Sequence, residues 1–489
     1  MASLDEIRNV RLAKLAKLKE RGLEVYPIKS KRDLDLAEVV SGFASLSKKK
    51  KKIFLCGRIM SLRGQGAVVF ADINDGTGKL QILFKKDEIS EDLRVLFEEI
   101  ADIGDFIEVS GTLFLTKRGE KTLLAESWKM LAKSLRPLPE KWHGLQDVEE
   151  RFRKRYLDLL MNEDVRNRFL LRSRIVSELR KLLDSTGFLE VETSILQSLA
   201  GGANAEPFKT HHNALDIDLF LRIAPEIDLK KLLVGGFSKV YEIGRSFRNE
   251  GIDATHNPEF TTVEWYEAYS DSERQRELVE SVLKSIVKGV TGGVSIAFGR
   301  EKIDFSKKFA TASYFELLQR YALIPEPAKA SFEDLKLRAT QLGIKAEKGD
   351  TIERLMDAIY KKTCRPKIIQ PTFVIDYPAN YIPLAKKKEG SDSIVDAFQV
   401  IVGGIEIVKA FSELNDPIDQ RERFSVQEKN KKIGDKEAQP SDEAFLEALE
   451  YGMPPAGGVG VSIDRLTMIL SDVKNIREVI FFPTLRPKE

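Results

Sequence analysis

Phe247-Arg248-Asn249-Glu250-Gly251-Ile252-Asp253-Ala254-Thr255-His256-Asn257-Pro258-Glu259-Phe260 decides how the rest of the chain is read. Gly251 and the Asn257-Pro258 step punctuate a turn between two extended segments, so the stretch predicts a strand–loop–strand hairpin. Within it stand an arginine, a carboxylate, a histidine and a phenylalanine. These are the parts needed to hold a nucleotide bent over a second anion. The planar guanidinium of Arg248 can clamp two oxyanions at once. Glu250 can accept from the exocyclic amine of adenine, and Phe260 offers a ring face for stacking. A lone arginine beside a carboxylate would be an ordinary surface ion pair; four such residues at this spacing are not.

The bulk numbers bound the rest. At 489 residues the chain has room for two or three domains and a large core. Its 78 basic and 76 acidic side chains leave a net charge of +2, so a nucleic acid must be met by local basic patches. Two cysteines, Cys56 and Cys364, exclude a disulfide framework, and neither has the spacing of a zinc site. The charged start of the chain has no apolar core of the kind a signal peptide needs. No apolar run is long enough to span a membrane. The expectation is a soluble cytoplasmic protein with no membrane partner.

Working outward from the hairpin, residues 5–21 read as a basic helix, with Val10, Leu12, Leu15 and Leu18 at helical spacing. It either packs on the next domain or contacts RNA phosphates. Lys48 to Lys52 close a first segment, 1–52. From 53 to 134 short strands alternate with turn residues around one helical stretch, Ser90 to Ile100. That pattern suits an OB-fold barrel, which binds single-stranded nucleic acid on one face. Val69, Ala71 and Ile73 share one side of a strand, which leaves Phe70 on the polar side as a platform for a base. A Pro-rich linker over 135–150, including Trp142-His143-Gly144, leads into a domain over 151–489. There Glu163 to Ser185 reads as a long helix, and about 311–365 as a helical insertion. Strands and helices do not alternate as βαβ units, so the fold class expected is α+β on an antiparallel sheet.

The hairpin resembles motif 2 of the class II aminoacyl-tRNA synthetases, and its wording, with Glu264-Trp265-Tyr266 after it, resembles the lysyl-tRNA synthetase form. The resemblance covers essentially the whole chain. It implies ATP-dependent activation of L-lysine to lysyl-adenylate and transfer to the 3′ end of tRNA(Lys), by a homodimer. It gives Arg248 and Arg465 catalytic roles. ATP would be held by Arg248, Glu250, His256, Asn257, Phe260, Glu406 and Arg465. Lysine would be held by Gly202, Glu226, Arg248, Glu264, Tyr266, Lys409, Phe411 and Glu413, with Glu226 on the α-amino group and Glu413 on the ε-ammonium. Carboxylates at both ends are a physical requirement, because a buried unpaired ammonium costs several kcal/mol. Mg2+ on the ATP phosphates would be met by Glu406 and Gln399. On the barrel, Arg63, Phe70 and Gln81 would read the anticodon; a further reader falls near Ser127 and Glu126.

The chain departs from that family's pattern at several points. Ser194 follows Val191-Glu192-Thr193 where a proline is usual, at the dimer interface. Gln399 replaces one of two glutamates, which predicts weaker metal binding. Ser462 stands for a glycine, and Thr255 where some relatives place an arginine. Lys409 replaces an asparagine and is expected to pair with the substrate carboxylate; its other option is to reach Glu413 and mimic the substrate. Two competing readings follow. One is a related synthetase for aspartate or asparagine, disfavoured by Asn249, Gly251 and Glu413. The other is a catalytically weakened tRNA- and ATP-binding paralogue, supported by Gln399, Ser462 and Lys409.

Overall fold

The computed structural model describes residues 3–65, 68–139, 145, 147–203, 205–346, 350–432 and 440–488. Ala67 and the Trp142-His143-Gly144 part of the expected linker lie outside them. The chain divides into two compact units, Met1–Leu145 and Gln146–Glu489.

In the first unit, strands β1 (Ile53–Gln65), β2 (Val68–Asn74), β3 (Lys79–Lys85), β4 (Phe106–Leu115) and β5 (Lys121–Ala132) close a barrel in the order β1-β2-β3-β5-β4. Helix Glu91–Ile100 lies between β3 and β4, with Leu96, Phe97 and Ile100 buried. Val69, Ala71 and Ile73 fill the barrel as their alternation predicts. Phe70 and Asp72 point the other way. Phe70 is paired with Arg63 and Asp72 with Gln81, so all four side chains share one outer patch. Arg63 is held there at 3.2 Å from Asp72, and Thr122 donates to the Gln81 amide oxygen at 3.0 Å.

The basic helix forms over Leu4–Glu20, started by a capping box between Ser3 and Glu6. Several of its cations serve the fold. Arg11 is buried and donates to the carbonyls of Ile103, Ser134 and Arg136. Lys14 pairs with Asp102 at 2.7 Å.

In the second unit β6 (Leu189–Glu190) is followed by a small sheet of β7 (Leu196–Gln197), β8 (Lys209–His212) and β9 (Ile217–Leu221). Then come β10 (Lys239–Phe247), β11 (Glu259–Ala268), the ribbon β12 (Ser295–Phe298) and β13 (Glu301–Asp304), β14 (Ala310–Ser313), β15 (Thr372–Ile375), β16 (Ala397–Val402), β17 (Ile405–Ser412) and β18 (Ala456–Ser462). Eight of these build one sheet, ordered β14-β15-β16-β17-β18-β11-β10-β6. Its pairs are antiparallel from β15 to β10 and parallel only at the two edges. The sheet confirms the α+β class. Residues 310–313 are a sheet edge rather than the head of a helical insertion; four residues are too few for periodicity to show. Helices Tyr314–Ala322, Phe332–Gln341 and Ile352–Ile359 follow.

Alternation along the central strands sorts core from site. Val263 and Trp265 of β11, with Val459 and Val461 of β18, pack under helices Glu163–Ser185 and Ser272–Thr291. Glu264 and Tyr266 therefore face the opposite side. Among the described residues, no helix is long and apolar enough to cross a membrane.

One buried carboxylate ties the long helix to the hairpin. Asp464 accepts from Arg172 at 2.5 Å and from the Thr261 amide at 2.7 Å. Asp464 is fully buried, so its removal strands the Arg172 guanidinium. Asp464→Ala is expected to cost about 3–5 kcal/mol in urea unfolding of the intact chain; a loss within the error of the wild-type value would contradict this assignment.

Candidate active site

A cavity of about 660 Å³ opens on the free face of the large sheet. The motif 2 hairpin, β16, β17 and β18 line it, together with helix residues Glu353, Arg354, Asp357 and Lys361. Every residue expected to bind lysine or ATP except Glu413 is among those lining it; Glu413 lies buried behind the Phe411 and Tyr266 end.

At one end stand the groups suited to phosphates. Hairpin strands β10 and β11 are in continuous register from Lys239↔Glu267 to Phe247↔Glu259, which carries the loop bearing Arg248 out over the sheet. The Arg248 guanidinium lies 5.0 Å from the Phe260 ring centre, and its Nε is buried with no hydrogen-bond partner among the described residues. A buried orphan donor of that kind leaves a hydrogen bond for a ligand to accept. Ser462 caps helix Ile463–Leu470, accepting from the Arg465 amide at 3.2 Å. The serine read as a departure thus fixes the first turn that holds Arg465. The Arg465 guanidinium contacts His256 Nε2 at 3.1 Å and the Glu406 carbonyl at 3.1 Å. Asp253 orients His256 through Nδ1 at 2.8 Å. Burial and the neighbouring Arg465 push the His256 pKa down, so the ring is neutral near pH 7.

At the other end four ionisable groups share one buried pocket. Glu226 opens helix Glu226–Val234, and Lys230, one turn on, donates to it at 2.6 Å. The same ammonium contacts Glu413. Lys230 lies 5.5 Å from the Phe411 ring centre and is fully buried. Burial alone would lower its pKa, but Glu226 and Glu413 more than reverse that and raise it. Burial pushes the Glu413 carboxyl up, and contact with Lys230 opposes the shift. Tyr266 hydroxyl donates to Glu264 at 3.1 Å. Burial, then the charge of Glu226, lifts the Glu264 pKa to about 8, so this carboxyl holds its proton at neutral pH.

Backbone geometry shapes the same pocket. Gly202 has φ +90°, a left-handed conformation that a side chain rarely adopts, and packs against Glu226 and Ala224. Gly458 is paired with Phe411 on one side and Tyr266 on the other. A methyl group there would land on the Glu413 carboxylate and the Tyr266 ring.

The fit to a magnesium ion is limited. Among the described residues no group of three or more acidic, histidine or cysteine side chains could hold a metal ion. Arg465, then Arg365, holds the Glu406 carboxyl below its ordinary pKa, so it is ionised. The Gln399 oxygen already accepts from the Tyr377 hydroxyl at 2.9 Å. One carboxylate suits one magnesium whose other ligands are phosphates and water.

Comparison with known proteins agrees with this geometry. Residues 147–486 match the model for class II tRNA synthetases (D, K and N), and residues 53–131 match an OB-fold nucleic acid binding domain. A lysine–tRNA ligase of Carboxydothermus hydrogenoformans is 46% identical over 99% of both chains. One of Pelotomaculum thermopropionicum is 45% identical over 99% of this chain and 96% of its own. One of Aquifex aeolicus is 46% identical over 96% of this chain and 77% of its own. The chain belongs to the class II lysyl-tRNA synthetases. As members of that family do, it couples an OB-fold domain to a catalytic domain on an antiparallel sheet.

Three site residues escaped the sequence reading of this synthetase. Lys230 was signalled only by its i,i+4 spacing from Glu226. Gly458 lies within β18, and its role depends on cross-strand register. Helix Ile352–Ile359, taken as part of an insertion, brings Asp357 to the cavity, where Lys361 pairs with it at 2.6 Å. The alternative for Lys409, that it reaches Glu413, does not hold: the ammonium at Glu413 is that of Lys230.

Two outcomes follow from the pocket. The Glu264 pKa of about 8 exceeds the value of 4.5 that an unperturbed glutamate has. Between those values the folded chain holds a proton that the unfolded chain has released, so this group makes stability fall as pH rises. Glu264→Gln removes that fall: its urea-unfolding free energy is expected to gain on the wild type between about pH 5 and pH 8. Gly458→Ala is expected to raise the KM for lysine about 100-fold, as a displacement of about 1 Å at a reacting centre does, while the KM for ATP changes far less. Steady-state pyrophosphate exchange separates the two constants.

Proposed function

We propose that this cavity joins L-lysine to ATP and that the residues assemble the reaction as follows. The observation that carries the reading is the pair of buried carboxylates, Glu226 and Glu413, on either side of the Lys230 ammonium at the Phe411 end of the cavity, which Arg248 also lines. Glu226 and the Gly202 backbone take the α-amino group. Glu413 takes the ε-ammonium, Tyr266 and Glu264 closing that end. Insertion of a second ammonium completes the ionisation that burial of Glu413 opposes.

The product chemistry is that of an ATP-dependent lysine–tRNA ligase. The lysine carboxylate attacks the α-phosphorus, the bond to the bridging oxygen breaks, and pyrophosphate leaves. Two anions must meet, so charge neutralisation and in-line placement supply the rate. Arg248 bridges carboxylate and α-phosphate. Arg465 and His256 hold the bent phosphate tail, while Glu250, Asn257 and Phe260 hold the adenine. Magnesium held at Glu406 would add charge neutralisation on the phosphates. A terminal ribose hydroxyl of tRNA(Lys) then attacks the lysyl carbonyl and AMP departs. Arg63, Phe70 and Gln81 form a surface of guanidinium, ring and amide suited to unpaired anticodon bases.

A homodimer completes the proposal. Leu189, Ile195, Leu196 and Leu199 lie exposed around Thr193 and Ser194, an apolar surface suited to a second copy. The Ser194 side chain is itself exposed, so the missing proline removes no internal contact.

Lysine-dependent ATP–pyrophosphate exchange tests the reading. Strong exchange with lysine and none with aspartate is expected, and Glu413→Gln should lower kcat/KM for lysine about 100- to 1,000-fold. Equal exchange with aspartate would refute the substrate assignment; ATP binding without exchange would favour the binding-only paralogue.

A further inference from the structure

Across the large sheet, Gln399, Lys409, Gly460 and Glu264 stand in one row of directly paired residues on β16, β17, β18 and β11. All four line the cavity. Gln399 brings no charge, and its oxygen is already engaged by Tyr377. Glu406 is therefore the one ionised carboxylate among the described residues of β16 and β17 in the cavity wall. Lys409 has no hydrogen bond and no carboxylate within ion-pair distance among the described residues. The Lys409 side chain is exposed along the cavity wall, with Glu406 and Glu226 as its strongest attracting charges and Arg248 as a repelling one. It thus lies between the group that would hold metal and the two that would hold the amino acid.

An unpaired lysine at that place lacks an anion. ATP brings several negative charges and the lysine substrate one more. Against the glutamate and asparagine that the family resemblance implies at these two positions, Gln399 removes one negative charge and Lys409 adds one positive charge, a net change of two units. That is the charge of one divalent cation. An ammonium is also a compact point charge on a flexible stem, the closest side-chain equivalent of a hard cation.

We propose that Lys409 supplies, as a fixed side chain, the positive charge that a second divalent cation would bring to the phosphates, so that the site works with a single divalent cation per ATP. The inference rests on the lysine–ATP reading above. It assigns the ammonium to the phosphates rather than to the lysine carboxylate alone. Nothing in it requires a metal at Gln399.

The test counts cations directly. Full-length protein with lysine and an ATP analogue carrying a methylene bridge between the α- and β-phosphates is titrated with Mn2+, and free Mn2+ is read by electron paramagnetic resonance. One Mn2+ per site is expected for the wild type. Lys409→Asn should still bind one, with analogue affinity lower by about 10- to 100-fold. The double variant Lys409→Asn/Gln399→Glu should recover affinity and bind one Mn2+ more than the wild type, which also guards against a folding defect. Two or more Mn2+ per wild-type site would overturn the proposal. So would a Lys409→Asn variant whose analogue affinity is unchanged while its lysine KM rises, since that marks a carboxylate partner only. Wild-type protein without lysine-dependent exchange would instead remove the ligase reading on which the proposal stands.

Discussion

The ion cluster of Glu226, Lys230 and Glu413 is the constraint around which the catalytic unit is arranged. Two carboxylates placed in a buried pocket would repel each other and resist ionisation. Lys230 reaches both from a position one helical turn beyond Glu226. The pocket can therefore stay folded before any substrate enters, and still present two carboxylates to an incoming ammonium. Burial raises the Glu413 carboxyl and Lys230 opposes that shift, so an entering ammonium favours its ionisation.

The sheet converts this local balance into a reaction geometry. β11 supplies Phe260 to one end of the cavity and Glu264 and Tyr266 to the other. β17 does the same with Glu406 and Phe411. In the proposed reaction the same strands position nucleotide and amino acid, and antiparallel pairing from β15 to β10 fixes the spacing of those residues. Preorganised groups of this kind need no reorganisation when charge develops. Asp464 extends the same logic, binding helix Ile463–Leu470 to the hairpin and to Arg172.

Much of this was legible in the sequence because the chemistry is local there. Arg248, Glu250, His256 and Phe260 lie within one hairpin, and Phe70 revealed its outward face by strand phase alone. The α+β class followed from the absence of alternating units. What stayed hidden depends on contacts between distant segments. Nothing near Gly458 announces that Phe411 and Tyr266 flank it; that knowledge lives in the register of three strands. Lys230 looked like one more surface lysine of a highly charged chain, since its partner Glu413 lies far along the sequence. Ser462 read as a lost glycine, although its side chain caps a helix. The N-terminal helix showed its basic character, but only the fold reveals that Arg11 is spent on backbone carbonyls.

β18 separates β17 from β11 with Gly458 and Gly460 on the cavity side, and Tyr266, Glu413 and Glu264 lean into the room those glycines leave. The volume of the amino-acid pocket is therefore defined by side chains that are missing. At a glycine every substitution adds atoms, so mutation along this strand can only shrink the pocket. Acceptance of bulkier amino acids would have to arise elsewhere, by trimming Phe411 or Tyr266. The strand gives the site a one-sided mutational landscape, in which selectivity against larger substrates has no easy route of escape.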